Sequence, residues 1–133
     1  MKDLNEICRK WLDNADLDIK VEFGNDGSTI LLVFYVVGVG KKVLVTCKRP
    51  IKFSVEQDPD DLPMYVVFET SISLKKKNSF EGLIHSDVLQ NIEVDELWHV
   101  DVSEGDAKVL VVSEQLSWEI LDITVEERSW YTN

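Results

Sequence analysis

The feature that most constrains the fold is a period-two alternation of apolar and charged residues early in the chain. Between Leu17 and Phe23, every second residue is apolar and the residues between them are Asp18, Lys20 and Glu22. Successive side chains of a β-strand point to opposite faces of a sheet, so this pattern predicts a strand with one buried and one solvated face.

The segment that follows predicts a hairpin. Gly24-Asn25-Asp26-Gly27 contains residues that accept positive φ, so we expect the chain to turn there and return through Thr29–Val37. Thr29–Val37 carries no charged residue. A strand without charge on either face is typical of the centre of a sheet, where both faces are covered.

Most of the remaining chain also predicts strands. Val43–Cys47 follows a turn at Val39–Lys42, and Pro50 indicates that Ile51–Gln57 is an edge strand or begins after a bulge. Residues 58–63 predict a surface loop by composition. The later strands are expected at Met64–Leu74, Leu97–Val102, Ala107–Ser113 and Ser117–Val125.

Two segments have helical spacing instead. Between Asp3 and Asn14, apolar residues recur three and four positions apart, Asp3 can cap the helix and Asn14 can end it. Ser79–Asn91 contains a shorter pattern of the same kind. We therefore expect one α+β domain over residues 1–133, predominantly an antiparallel β-sheet (a sandwich or half-barrel), with an N-terminal helix at 3–14 and a short second helix near 79–91.

The charge of the chain excludes several classes of partner. The 133 residues include 25 Asp and Glu against 14 Lys and Arg, which gives a formal net charge of −11. Non-specific binding to nucleic acid or to anionic lipid needs clustered Lys and Arg, so neither partner is expected. No stretch approaches the roughly 18 apolar residues of a membrane helix. The amino terminus contains Asp3 and Glu6 and no apolar region before a small-residue cleavage site, so it does not resemble a secretory signal. We expect a cytoplasmic protein.

The acidity is concentrated in the second half of the chain. Residues 78–127 contain 13 acidic side chains and a single base, Lys108, so this stretch has a net charge of −12 and the other residues sum to +1. Because these acids fall in a run of sequential strands, we expect several of them to share one face or rim. A clustered negative surface attracts a positively charged partner and can speed its association by about 10- to 1,000-fold.

In size, acidity and aromatic content, the whole chain resembles the acidic single-domain immunity proteins of bacterial polymorphic-toxin and contact-dependent growth-inhibition systems. The aromatic content is four Trp together with Tyr35, Tyr65 and Tyr131. The resemblance implies a non-enzymatic, cytoplasmic protein that neutralises a cognate toxin, such as a nuclease with a basic active site, by tight binding. It transfers no individual site residue.

The acidic C-terminal half supplies the candidate partner-binding residues. Its tryptophans could anchor a basic protein within a ring of carboxylates. The predicted set is Glu96, Trp98, Asp101, Glu104, Asp106, Trp118 and Glu119. No catalytic, cofactor-binding or metal-binding residue is predicted, and we expect either a monomer or a homodimer.

Two other functions remain open from the sequence. Strand alternation places His99 and Asp101 on one face, which is compatible with a pocket of a ligand-binding or enzymatic domain. A subunit of a homo-oligomeric assembly, joined through a strand edge or exposed aromatic residues, is the second alternative. Cys8 and Cys47 are expected to be reduced core thiols, although a disulfide between them remains possible.

Overall fold

The fold is a closed barrel of six antiparallel strands. The structure, a computed structural model, describes residues 15–24, 27–57, 65–105 and 107–129, together with Glu6 and Leu12. Around the barrel the strand order is β1-β2-β3-β6-β5-β4, and β4 pairs back with β1. The strands are β1 Ala15–Gly24, β2 Gly27–Val36, β3 Lys41–Gln57, β4 Tyr65–Lys76, β5 Glu96–Gly105 and β6 Ala107–Asp122.

The α+β prediction is wrong. Strands account for 71% of the described residues, among which the two α-helices, α1 Ser86–Gln90 and α2 Val125–Ser129, have five residues each. The order of described elements begins with β1 and includes no N-terminal helix. The segment for which that helix was predicted, residues 3–14, lies outside the described residues except for Glu6 and Leu12. The short second helix is present as α1, preceded by a 3₁₀ turn at Lys77–Phe80.

The first hairpin confirms the sequence prediction. β1 and β2 pair in a continuous register from Asp16 opposite Tyr35 to Gly24 opposite Gly27. Gly27 has φ +107°, a conformation that a residue with a side chain rarely adopts. Two residues separate the paired glycines, which is the loop length of the tightest hairpins.

The sheet closes into a barrel, rather than forming a sandwich or half-barrel, because β1 pairs with β4. Two of its strands are also much longer than predicted. β3 has 17 residues and β6 has 16, and the sequence pattern divides each of them into two strands. The register of β3 against β6 shifts at Pro50, and Arg49 has φ +55°. A bulge of this kind bends and twists a strand without ending it, so the predicted bulge is present within one continuous strand.

The barrel interior is a solid apolar core. Phe34, Leu32 and Val45 are completely buried and pack with residues from all six strands. A second cluster on the outside of the barrel joins Phe80 and Leu89, near α1, to Leu97 and Val112 on β5 and β6. None of the helices among the described residues is long and apolar enough to span a membrane.

A partly buried ion pair attaches α2 to the barrel. The Lys42 ammonium donates hydrogen bonds to both carboxylate oxygens of Glu127 at 2.9 Å. The Thr124 amide donates to Glu127 Oε1 at 2.9 Å, and the Glu127 amide donates to Thr124 Oγ1 at 3.1 Å, which forms a reciprocal helix cap. Burial raises the pKa of Glu127, but hydrogen bonds from Thr124, Lys42 and Tyr35 outweigh burial and lower this pKa from 4.5 to about 2.

Truncation of the largest core side chain should be costly. We expect Phe34→Ala to lower the free energy of unfolding by about 3–5 kcal/mol, because it leaves a cavity in a closed core that cannot collapse. Phe23→Ala is the matched control: Phe23 is 84% exposed and its truncation should change stability by less than about 0.5 kcal/mol. Urea denaturation of dilute protein measures both, and equal losses would contradict the assignment of the core.

The Glu127 cluster should make stability depend on pH in acid. The folded-state pKa lies below 4.5, so the stabilisation is fully present above about pH 4.5 and is lost as the pH falls towards 2. Glu127→Gln should lower the free energy of unfolding by about 1–3 kcal/mol at pH 7, with a difference from wild type that shrinks in acid. Glu126→Gln, next to it and exposed, is the control. A pH-independent difference in urea unfolding would contradict the role of the charge.

Candidate functional site

Four carboxylates lie at one end of the sheet formed by β3, β6, β5 and β4. Glu56 of β3 pairs with Lys108 of β6. Leu110, which is two residues further along β6, pairs with Asp101 of β5. Glu104, near the end of β5, pairs with Glu69 of β4. Neighbouring strands are about 4.8 Å apart, so the register brings together acids from three separate segments. We call Glu56, Glu69, Asp101 and Glu104 the acidic rim.

An open cavity of about 310 Å³ lies within the acidic rim. Glu56 and Asp101 contribute carboxylates to its wall, Lys108 contributes an ammonium group and Leu110 contributes half-buried apolar surface. Ser54 and Ser103 add hydroxyl groups. Two carboxylates beside an apolar surface can accept the charged end of a lysine or arginine side chain while its methylene groups pack on Leu110.

The acidic rim contains a like-charge pair. Glu69 and Glu104 are exposed and pair across β4 and β5 at an irregular position, because the register shifts on both sides of Glu69. Like charges in this arrangement destabilise a sheet. Among the described residues, no ion pair within 4.0 Å joins Lys108 or any other base to a carboxylate of the rim. Apart from Lys108, which lies opposite Glu56 and lines the same cavity, the described residues place no base against the carboxylates of the rim.

The structure separates the predicted partner-binding residues. Asp101 and Glu104 belong to the acidic rim, and Asp106 lies outside the described residues. Glu96 is exposed but precedes Glu104 by eight residues along β5, or about 26 Å. Glu119 is exposed on the other half of β6, about 30 Å beyond Leu110.

The two predicted tryptophan anchors pack inwards. Trp98 and Trp118 are half-buried and contact the main core cluster. An interface anchor has to present its ring to the partner, and these rings present only part of their surface. Their role in partner binding stays a prediction, while their packing against the core is observed.

Sequence reasoning missed Glu56 and Glu69. Both lie outside residues 78–127, where the acidic side chains are most frequent. Glu56 belongs to β3 and Glu69 belongs to β4. The period-two alternation indicates which face each strand residue occupies, but it does not give the register between strands that are distant in sequence. The pairing of β3 with β6 and of β4 with β5 supplies that register.

His99 and Asp101 share none of the three cavities that described residues line. The His99 ring packs against Phe80 in a T-shaped contact, with ring centroids 5.7 Å apart and planes at 88°. Burial lowers the pKa of His99, Lys75 lowers it further and Asp101 opposes this shift. Asp101 lines the rim cavity, whereas His99 lines none of the three described cavities. This arrangement favours a packing role for His99 over an acid–base role.

Cys47 has the character of a core thiol. It is completely buried and unbridged, and burial raises its pKa to about 11, although a hydrogen bond with Ser113 opposes the shift. A thiol with this pKa is not a thiolate at neutral pH, so it is a poor nucleophile. Cys8 lies outside the described residues. Within the described ranges, no three His, Cys, Asp or Glu side chains form a group that could hold a metal ion.

Comparisons with known proteins do not place the chain in a family. A scan against models of protein families finds none that matches, and a search of curated proteins finds no match.

The opposed glutamates predict a variant that is more stable than wild type. Glu104→Gln should raise the free energy of unfolding by about 0.2–1 kcal/mol at low salt, because it removes the like-charge pair with Glu69. The gain should shrink at high salt, where the repulsion is screened. Glu93→Gln, an exposed residue outside the strands, is the control. Urea denaturation at two ionic strengths measures the effect, and a loss of stability at low salt would contradict it.

Proposed function

We propose that the protein is a non-enzymatic binding protein that engages a basic protein partner through its acidic rim. The observation that carries the proposal is the placement of four carboxylates from β3, β4 and β5 at one end of the sheet, with Glu69 paired with Glu104 across β4 and β5. Such a pair weakens the isolated fold. A lysine or arginine from a partner would relieve this repulsion, so the charge that is unfavourable in the isolated chain becomes favourable in the complex.

The shape of the rim supports a protein partner. Its open cavity has room for one basic side chain beside Glu56 and Asp101, and Leu110 provides apolar contact for the methylene groups. Arginine can form two parallel hydrogen bonds with one carboxylate, which makes it the best-suited residue. The exposed Glu69 and Glu104 extend the negative field beyond the cavity, and such a field steers a basic partner before contact.

The most specific form of this proposal is a cytoplasmic immunity protein that blocks a bacterial toxin. Support comes from the small size of the chain, its net charge of −11 and the acidic rim. A toxin that binds phosphates, such as a nuclease, needs Lys and Arg in its active site, and an acidic rim can occupy the same positively charged surface. Blocking a surface needs no catalytic group. The packing of the His99 ring against Phe80 and the complete burial of Cys47 are compatible with this role.

Association kinetics test the role of the acidic rim. Affinity capture followed by mass spectrometry identifies a partner, and stopped-flow mixing then measures its association with Asp101→Lys/Glu104→Lys. We expect an association rate constant at least about tenfold lower at low salt, and a weaker dependence on salt, than for wild type. Coexpression with a toxic partner then shows whether the wild-type protein restores growth.

The control for this experiment is Glu81→Lys/Glu93→Lys. It changes the net charge by the same amount at exposed positions outside the acidic rim. If the partner responds to the rim, the control variant should bind at close to the wild-type rate. Equal effects of the two double variants would show that only net charge matters and would contradict the proposed site.

A further inference from the structure

The connection between β4 and β5 is much longer than the barrel needs. The two strands are paired neighbours, with Lys76 opposite Glu96, and a hairpin connection of about 2–5 residues would join them. The chain instead runs from Lys77 to Asp95, and the Lys77 amide donates a hydrogen bond to the Asp95 carbonyl at 2.8 Å. Compact loops whose ends are close together are frequently functional. We call residues 77–95, all of them described, the β4–β5 loop.

The β4–β5 loop is held by its own contacts. Its buried side chains pack against the outside of the barrel, and these side chains are Phe80, Ile84, Leu89 and Ile92. The Ile84 amide donates a hydrogen bond to the Phe80 carbonyl at 2.9 Å, and the Lys77 ammonium donates to the Ile92 carbonyl at 2.9 Å. The loop therefore has a defined shape in the isolated chain, which lowers the cost of ordering it around a ligand.

A cavity of about 410 Å³ lies within the β4–β5 loop. Ile84 and Leu89 supply its apolar surface, and the exposed Asn78, Ser86 and Gln90 surround that surface. The volume is in the range of ligand sites, about 300–1,000 Å³, but such sites bury most of a small molecule. A cavity with so many exposed lining residues is better suited to one side chain of a longer chain that continues past its edges.

The polar groups of this cavity are available for a ligand. None of the hydrogen bonds among the described residues uses the side-chain amides of Asn78 and Gln90 or the hydroxyl group of Ser86. Asn78 comes from the 3₁₀ turn and Gln90 from the end of α1, so the two amides belong to different walls. Each amide has donors and an acceptor, which match the C=O and N–H groups of a peptide backbone.

The charge of the lining favours an uncharged ligand. Lys77 and Glu81 are its charged residues, so the lining has no net charge, in contrast to the net charge of −12 over residues 78–127. A ligand of either sign would be repelled by one of these two side chains. This cavity therefore differs in chemistry from the acidic rim.

We propose that the cavity of the β4–β5 loop binds an extended, uncharged peptide segment of a partner protein through one aliphatic side chain. A side chain of the size of leucine packs on Ile84 and Leu89. The peptide groups on either side of it exchange hydrogen bonds with Asn78 and Gln90. Apolar contact supplies most of the affinity, and the two amides fix the orientation of the segment.

This site is independent of the proposed function. No residue of the acidic rim lines the cavity of the β4–β5 loop. The rim is expected to recognise positive charge, whereas this cavity is expected to recognise an apolar side chain between uncharged peptide groups. A chain that binds no basic protein could still bind such a segment, and the reverse is equally possible.

NMR spectroscopy of the isotope-labelled full chain tests the site with N-acetyl-leucinamide, which has one aliphatic side chain between two peptide groups and no charge. We expect the backbone amide resonances of residues 77–90 to shift, with a dissociation constant on the order of 1–10 mM for so small a probe. N-acetylglycinamide lacks the apolar side chain and should bind at least about tenfold more weakly. N-acetyl-lysinamide, which is positively charged, should also bind this site more weakly than the leucine probe.

Removal of the two amides tests their role. Asn78→Ala/Gln90→Ala should weaken binding of N-acetyl-leucinamide at least about fivefold, because two hydrogen bonds are lost. Gln115→Ala is the matched control: it removes an exposed side-chain amide from β6, outside the β4–β5 loop, and should bind the probe like wild type. Circular dichroism checks that each variant folds.

A bulky side chain tests the position of the site. Ser86→Tyr should fill part of the cavity and abolish the shifts that the probe causes. Val88→Tyr is the matched control, because Val88 is an exposed residue of the same helix that does not line the cavity. This control should bind N-acetyl-leucinamide like wild type.

Four outcomes would overturn the proposal. The absence of shifts in residues 77–90 at about 100 mM probe, at least tenfold above the expected dissociation constant, would show that there is no such site. Equal binding of N-acetylglycinamide would exclude the aliphatic contact, and equal or tighter binding of N-acetyl-lysinamide would show that negative charge attracts the probe. Equal losses in Ser86→Tyr and Val88→Tyr would place the probe elsewhere on the loop.

Discussion

The pairing of β3 with β6 is the interaction on which the rest of the structure depends. The ladder runs from Lys41 opposite Asp122 to Gln57 opposite Ala107. The first half of β3 also pairs with β2, and the first half of β6 also pairs with β5. The two strands therefore join both sides of the barrel. The bulge near Pro50 supplies local bending and twist, which a sheet needs in order to curve until its ends, β1 and β4, can pair.

The same ladder explains why the acidic side chains do not form one continuous surface. β6 is 16 residues long, so Glu119 and Asp122 near its far end are separated by most of the height of the barrel from the acidic rim, which lies beside its first residues. Glu114 pairs with Arg49 at the bulge, and Glu127 pairs with Lys42 beneath α2. These carboxylates stabilise the fold. The carboxylates of the acidic rim have no ion-pair partner within 4.0 Å among the described residues, a property that they share with exposed acids such as Glu96 and Glu119. The rim is distinguished by the strand register, which places its four carboxylates at one end of the sheet.

The alternation of side chains predicted much of this fold, but its register could not be predicted. Leu17–Phe23 and Thr29–Val37 correspond to β1 and β2, and the antiparallel character of the sheet is confirmed. The proline at position 50 was expected to mark a strand boundary or a bulge, and only the structure shows one strand continuing through it. Asp101 and Glu104 were predicted from charge density. Glu56 and Glu69 were missed because their proximity depends on long-range pairing, which a local pattern does not encode.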